Sequence, residues 1–253
     1  MSDVTANQPH GTPTWIDLGV PDLEQAMDFY GALFGWEFDV GPAEMGHYTM
    51  CLLRDRRVAA MAPNPDTATT CWWNVYLAVD DCDEAAKRIA DEGGAVLAEP
   101  VDVVNQGRMA IVRDPVGAHL GLWQGREHIG SEVVGEPGAV LRHDLATPMP
   151  GPAREFYPAV FGLTLDRDED LPELDRTALR RPDGHEVAGI LATPGAPGSA
   201  WTTTFEVADV DEAVRLVTEA GGACDGARTA VRGRTAVVTD PFGARFAVTS
   251  RTR

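Results

Sequence analysis

The chain has 253 residues, 44% of them hydrophobic, and a formal net charge of -18, which is length and apolar content enough for one or two buried cores. So acidic a balance offers no basic face for phosphates, which sets nucleic acid aside as a partner and disfavours an anionic membrane surface. No apolar run approaches the roughly 20 residues of a membrane span, and the opening MSDVTANQPHG has neither the charged nor the apolar region of a secretory leader. A soluble, cytoplasmic protein is expected.

After a polar tail over residues 1–12, WIDLGV alternates as a strand does, and Asp22 is placed to cap a helix with Leu23, Ala26, Met27, Tyr30, Leu33 and Phe34 on one apolar stripe. Gly35 is placed to end it. WEFDVG, HYTMCLL and RRVAAMA follow as three strands, separated by turns at GPAEMG and RDR. The unit reads β-α-β-β-β. A second unit repeats the order, with strand WWNVYLAV, helix DDCDEAAKRIADEGG, and strands AVLAEPVDV, GRMAIVRD and GAHLGLWQ. The polar connection GREHIGSEVVGEPG then separates this half from a third unit, AVLRHDLAT through RPDGHEVAGILATP, and a fourth that starts at AWTTTFEV. Pro158 lies inside the third helix and removes a backbone donor, so a kink or 3₁₀ geometry is expected there.

The halves are written alike. Asp17, Leu18, Phe29, Tyr30, Phe34 and Gly35 recur at one constant offset as Asp144, Leu145, Phe156, Tyr157, Phe161 and Gly162. VDDCDEAAKRIADEGG is echoed by VADVDEAVRLVTEAGG, and RDPVGAHL by TDPFGARF. Such internal similarity fixes the organisation before any other reading. The expected domains are residues 13–125 and 139–253, with 126–138 as linker and 1–12 as a flexible tail. Cys51, Cys71, Cys82 and Cys224 show no CxxC spacing and read as reduced, structural residues. Lys87 is the only lysine among many arginines, an association with GC-rich bacterial genomes.

Four β-α-β-β-β units with V-x-D at a helix start, FY and FGW around the first helix and DPxG at the last hairpin resemble the vicinal oxygen chelate superfamily. Its members include glyoxalase I, extradiol dioxygenases and bleomycin-resistance proteins. The resemblance runs over roughly residues 12 to 250 and implies an α+β fold in which paired units form two open barrels. It also implies, for catalytic members, a divalent metal held by His, Gln or Glu on the first and last strands of paired units, acting as a Lewis acid. The matching first-strand positions are Trp15, Asn74, Arg142 and Thr202. The last-strand positions are Gly121 and Ala247 and, by looser alignment, Ala59 and Ala188. None carries a His, Glu or Asp. No metal and no other cofactor is expected, because first-row metals need several donors converging on one point.

Strand alternation gives the inward faces. In the first half Ile16, Leu18 and Val20, with Val75, Leu77 and Val79, should pack on the helices. Trp15, Asp17, Trp72, Asn74, Tyr76, His119 and Trp123 are left toward a cavity. In the second half the inward sets hold Arg142, Asp144, Thr202, Thr204, Glu206, Arg245 and Thr249, a polar group in which arginine–carboxylate pairs would fill the space. An apolar, aromatic pocket is the usual form of a small-molecule site, which favours the first half. Asp17 and His119 are the candidate acid–base residues. Trp15, Trp72, Asn74, Tyr76 and Trp123, with Arg142 and Asp144 in the other half, are the candidate ligand contacts.

Three functions stay open. The chain could sequester a hydrophobic, aromatic natural product, as bleomycin-resistance proteins sequester drugs. It could be a metal-independent isomerase, cyclase or lyase using Asp17 or His119, or an accessory protein whose pockets its own side chains fill. A monomer or homodimer suits each.

Overall fold

A computed structural model describes residues 2–64, 71–167, 174–230 and 233–251. Strand β1 (Ser2–Asp3) precedes the first unit, which comprises β2 (Pro13–Val20), α1 (Leu23–Phe34), β3 (Glu37–Asp39), β4 (Thr49–Leu53) and β5 (Arg56–Pro63). The second comprises β6 (Trp73–Ala78), α2 (Cys82–Asp91), β7 (Ala95–Val103), β8 (Gly107–Arg113) and β9 (His119–Gly125). After β10 (Val133–Val134), the third unit is β11 (Val140–Thr147), α3 (Pro150–Phe161), β12 (Thr164–Arg167), β13 (Arg176–Arg180) and β14 (Glu186–Ala192). The fourth is β15 (Ala200–Glu206), α4 (Val210–Glu219), β16 (Ala223–Ala230), β17 (Gly233–Thr239) and β18 (Arg245–Ser250).

Local chemistry accounts for the helices. Asp22 accepts from Gln25 N at 3.0 Å, Asp81 from Glu84 N at 3.0 Å, and Asp209 from Asp211 N at 2.8 Å, so three helices carry an aspartate N-cap. The third helix has no such cap and opens instead on Pro150, whose missing N–H costs nothing at a first-turn position. Gly35 ends α1 at φ +70, a left-handed conformation that suits glycine. Of the kink or 3₁₀ geometry expected at Pro158, the 3₁₀ segment is not formed: α3 is α-helical through Phe161.

Units pair within each half. One eight-stranded sheet has the order β3-β4-β5-β2-β6-β9-β8-β7, the other β12-β13-β14-β11-β15-β18-β17-β16. At the centre of each, the first strands of two units run antiparallel, with Asp17 opposite Asn74 and Asp144 opposite Thr202. The last strand of each unit flanks them in parallel, with Asp17 beside Ala60 and Tyr76 beside Gly121. The sheets are open, and the fold is α+β.

The helices lie between the sheets, α1 against α4 and α2 against α3. One continuous core joins the halves, with Phe34 and Phe205 ring centroids 4.6 Å apart and Tyr30 and Phe246 6.0 Å apart. The repeated FY and DPxG phrases meet here. Tyr30 Oη donates to Asp240 Oδ2 at 2.8 Å, and Tyr157 Oη donates to Asp114 Oδ2 at 2.8 Å. Each hairpin aspartate also accepts from its own turn, as Asp114 Oδ1 does from Ala118 N at 2.7 Å. The DPxG phrases are therefore more than turn formers: each receives the tyrosine of the opposite half in a buried, reciprocal bond.

The residues expected as a flexible tail are pinned. Ser2 and Asp3 pair with Val134 and Val133, Val4 N donates to Glu132 O at 2.9 Å, and Gly11 N to Ala78 O at 2.8 Å. Unpaired edge and carbonyl groups of the connector and β6 take up these backbone bonds, which polarity of sequence alone does not foretell. No helix among the described residues is long and apolar enough to cross a membrane. All four cysteines are free, with Cys51 and Cys82 buried.

Candidate functional site

The two faces of the first sheet separate as alternation demands. Ile16, Leu18, Val20, Val75, Leu77 and Val79 join the main core, while Trp15, Ala60, Tyr76 and Trp123 form a second cluster on the opposite face. That face carries an open-mouthed cavity of about 270 Å³, lined by Trp15, Asp17, Tyr48, Met50, Tyr76 and Met109, with Trp123, Met45, Val103, Gln106 and His128 completing the wall. Met45 reaches it from a 3₁₀ turn, Ala43–Met45, in the segment expected as a simple turn.

Asp17 is the centre of its polar side. Its Oδ1 accepts from Asn74 Nδ2 at 2.8 Å, and its Oδ2 from Tyr76 Oη at 2.9 Å and Tyr48 Oη at 3.1 Å. Trp15 Nε1 donates to Tyr48 Oη at 2.9 Å, and Trp72 Nε1 to Asn74 Oδ1 at 2.8 Å, so two indoles orient the groups that touch the carboxylate. Burial raises the Asp17 pKa above the usual carboxylate range, and the bonds from Asn74, Tyr76 and Tyr48 oppose that rise. Burial and the neighbouring Asp17 charge raise both phenol pKa values, so the tyrosines serve as neutral donors.

His128 was not foreseen. It belongs to the stretch expected as linker, yet it is 4% exposed and lies edge-on to Trp15, with ring centroids 4.3 Å apart at 88°. Neither ring nitrogen has a hydrogen-bond partner among the described residues. Burial, with a contribution from Arg57, lowers its pKa to about 4, so the imidazole is neutral at physiological pH. The connector is held in place by its backbone: His128 N donates to Gln106 O at 3.1 Å, Ser131 N to Thr14 O at 2.7 Å, and Trp123 Nε1 to His128 O at 2.8 Å.

Other expected residues lie elsewhere. His119 is exposed at the start of β9, and its ring stands edge-on to Trp72 at 6.3 Å instead of lining the cavity. Trp72 is 46% exposed and outside it, acting only through Asn74. Both have the inward parity, but they sit where the strand runs past the covered part of the sheet. Arg142 and Asp144 belong to the second half: Asp144 lies 3.0 Å from Arg142 Nε and 2.9 Å from Arg176 Nη2, and Arg176 also pairs with Glu186 at 2.8 Å. A pocket of about 260 Å³ there is walled by Arg142, Arg176, Glu186 and Arg251, charges that largely pair with one another or with neighbouring acids. Trp201, on β15, is buried and donates to Tyr157 Oη at 3.1 Å, which makes it a core residue.

The positions where a metal ligand would stand are taken up otherwise. The inward residue on β5 is Ala60 and its counterpart on β14 is Gly189, one residue beyond the expected Ala59 and Ala188. A Cβ at Gly121 would lie 2.0 Å from Tyr76 Cδ1, so the tyrosine ring fills the space of a last-strand ligand. Asp17 meets three hydrogen-bond donors, and donors aimed at a carboxylate disfavour a cation beside it. Among the described residues no group of three or more His, Cys, Asp or Glu could hold a metal ion. The residues present do not fit a resident divalent metal.

A sequence model of the Glyoxalase/Bleomycin resistance protein/Dioxygenase superfamily matches residues 12–122 and 139–248. The chain belongs to this superfamily. CFP32 of Mycobacterium tuberculosis, which bears a provisional glyoxylase name, is 38% identical over 247 residues, covering 94% of each chain. The anthracycline biosynthesis protein DnrV of Streptomyces peucetius is 37% identical over 256 residues, covering 94% of this chain and 92% of its own. Among solved structures, the Mn(II)-bound glyoxalase from Novosphingobium aromaticivorans superposes with a TM-score of 0.66 at 18% identity, over 96% of this chain and 82% of that one. At that identity the superposition shows the superfamily fold alone.

Proposed function

We propose that the protein binds a planar aromatic metabolite in the first-half cavity and does so without a resident metal. The carrying observation is the wall itself, in which Trp15, Tyr76 and Trp123 with Met45, Met50 and Met109 line one open-mouthed pocket. Aromatic rings give large contact area and favour offset or edge-to-face stacking, and methionines adapt around a flat ligand. The volume is at the small end of small-molecule sites, roughly 300 to 1,000 Å³, so a ligand of more than two or three rings extends past the rim. The name of DnrV supports the ligand class, since anthracyclines are planar polycyclic aromatics.

A second reading, turnover, is favoured by Asp17. A carboxyl whose pKa burial has raised suits proton transfer to or from a bound ligand better than an ordinary surface aspartate. Tryptophan fluorescence during titration with two- and three-ring aromatics tests the binding reading. Trp15→Ala should weaken binding about tenfold, from one lost stacking contact and its burial. Arg215→Ala, on the exposed face of α4, should leave it unchanged. Equal affinities for wild type and Trp15→Ala would remove the proposal. If Asp17→Asn abolishes product formation from an authentic ligand while leaving affinity nearly intact, turnover wins over sequestration.

A further inference from the structure

Among the described lining residues, every side-chain donor that a ligand could reach is already committed inside the protein. An indole nitrogen only donates. The Trp15 N–H goes to Tyr48 Oη at 2.9 Å, which leaves the Tyr48 proton to point at Asp17 Oδ2, and the Trp123 N–H goes to His128 O at 2.8 Å. The Trp72 N–H goes to Asn74 Oδ1 at 2.8 Å, which turns the Asn74 amide nitrogen toward Asp17 Oδ1. Tyr76 Oη donates to Asp17 as well. The Gln106 amide nitrogen is held by Asn105 and by Glu127, whose carboxylate only accepts. Both ring nitrogens of His128 are buried out of reach.

What these groups still offer is acceptor capacity. A carboxylate has about four lone-pair sites, and Asp17 receives three donors, an arrangement that suits its ionised form. Each phenol oxygen also keeps a lone pair after giving its proton to Asp17. Asp17 and Tyr48 retain exposed surface on the cavity wall. Whichever of these oxygens a ligand meets, it meets an acceptor. A ligand O–H can bond there, whereas an ether or quinone oxygen, which only accepts, loses its water and gains no partner. We propose that the polar end of the cavity, at Asp17, Tyr48 and Tyr76, is an acceptor-only subsite for a phenolic or enolic hydroxyl, so that the cavity selects hydroxylated planar aromatics over their methyl ethers and quinones. The proposal rests on the aromatic-binding reading of the cavity and adds the functional group that the ligand carries. It needs a hydrogen bond and no proton transfer, so it holds for sequestration and for turnover alike.

The test compares 2-naphthol, 2-methoxynaphthalene and 2-ethylnaphthalene by fluorescence titration of wild type, Tyr48→Phe and Asp17→Asn. The ethyl compound matches the ether in size and lacks its oxygen, so it controls for bulk. Wild type should prefer 2-naphthol to the ether about tenfold, the ratio that one hydrogen bond gives, and should bind the ethyl compound no worse than the ether. Tyr48→Phe removes the acceptor of the Trp15 N–H and so releases a donor into the cavity. It should strengthen binding of the ether several-fold and leave the ethyl compound unchanged. Asp17→Asn exchanges an acceptor for a group that also donates, and should bring the ratio of 2-naphthol to ether close to one. The wild-type ratio needs no variant and stands even where one does not fold. Equal binding of 2-naphthol and the ether to wild type, or a full preference kept in both variants, overturns the acceptor-only subsite while leaving the cavity reading in place. Binding of none of the three probes overturns both.

Discussion

Adding one methyl group at Gly121 should damage both the fold and the site. Gly121 is outside the set of positive-φ glycines, so its backbone accepts alanine and the whole cost is collision. The new Cβ would lie 2.0, 2.3 and 2.6 Å from Cδ1, Cε1 and Cγ of Tyr76. A ring that is 6% exposed, pressed against Trp15 and Trp123, has little room to turn aside. Overpacking of this kind costs about 1–3 kcal/mol. Displacing the ring also breaks the 2.9 Å bond from Tyr76 Oη to Asp17, a hydrogen bond to a charged group worth about 1.5–3 kcal/mol. Together Gly121→Ala should lose about 3–5 kcal/mol, a large share of an ordinary domain's 5–15 kcal/mol. Urea unfolding followed by tryptophan fluorescence and far-UV circular dichroism measures it. The second half supplies a control, because Ala247 occupies the matching place beside Thr204 and Ala247→Gly should cost no more than about 1 kcal/mol. Relief should follow when the ring is removed: Gly121→Ala on a Tyr76→Leu background should cost little. A Gly121→Ala protein within about 0.5 kcal/mol of wild type would refute the close packing on which this reasoning depends.

Tyr30→Phe should cost about 1.5–3 kcal/mol, since Asp240 loses a buried hydroxyl donor, and Tyr157→Phe should cost about the same at Asp114. Because that donor opposes the rise that burial imposes on the aspartate pKa, its loss raises the pKa further; the Tyr30→Phe deficit should shrink in acid as Asp240 protonates, which urea midpoints against pH would show. Arg176→Met should destabilise by about 3–5 kcal/mol by leaving Asp144 and Glu186 without their buried cation, read as a fall in the urea midpoint. Burial lowers the pKa of His128 and His143 from 6.5 to about 4, so each contributes stability that is full above pH 6.5 and lost as pH falls toward 4, about 3 kcal/mol apiece at the limit. The raised carboxyl pKa of Asp17 contributes in the opposite sense, present below its ordinary pKa and lost as pH rises, so it offsets part of the acid loss. Replacing both histidines with glutamine should flatten the decline in urea midpoint between pH 7 and 4.5; an unchanged decline would contradict their buried, neutral state.

The repeat was legible because both halves spell the same contacts. Tyr30 and Tyr157 recur 127 residues apart and Asp114 and Asp240 recur 126 apart in matching DPxG phrases, yet nothing in the phrases reveals that each tyrosine crosses to the other half's aspartate. Parity along β2 and β6 correctly separated Trp15, Asp17, Asn74 and Tyr76 from Ile16, Leu18, Val75 and Leu77. Parity does not say how far along a strand the covered surface extends. That is why His119 and Trp72, on the right face, end up outside the cavity. Tyr48, Met45 and His128 were missed for a different reason. They arrive from the residue just before β4, a short 3₁₀ turn and the connector, whose paths are set by tertiary bonds such as Ser131 N to Thr14 O and leave no local periodicity. A signal for His128 did exist, in a histidine placed between glycines in a connector that returns to the first sheet, but only the three-dimensional path gives it meaning.

The location of the ligand can be read most directly from methyl spectra of protein labelled with ¹³C-methyl methionine. The chain has seven methionines. Met45, Met50 and Met109 line the proposed cavity, Met61 lies in the main core, and Met149 is exposed in the second half. A stacked aromatic shifts nearby methyl signals strongly through its ring current. Titration with 2-naphthol should therefore move the signals of Met45, Met50 and Met109 together, with one common affinity, and leave Met61 and Met149 in place. Movement of Met149 alone, or saturation of binding with the three cavity methyls unmoved, would contradict the account.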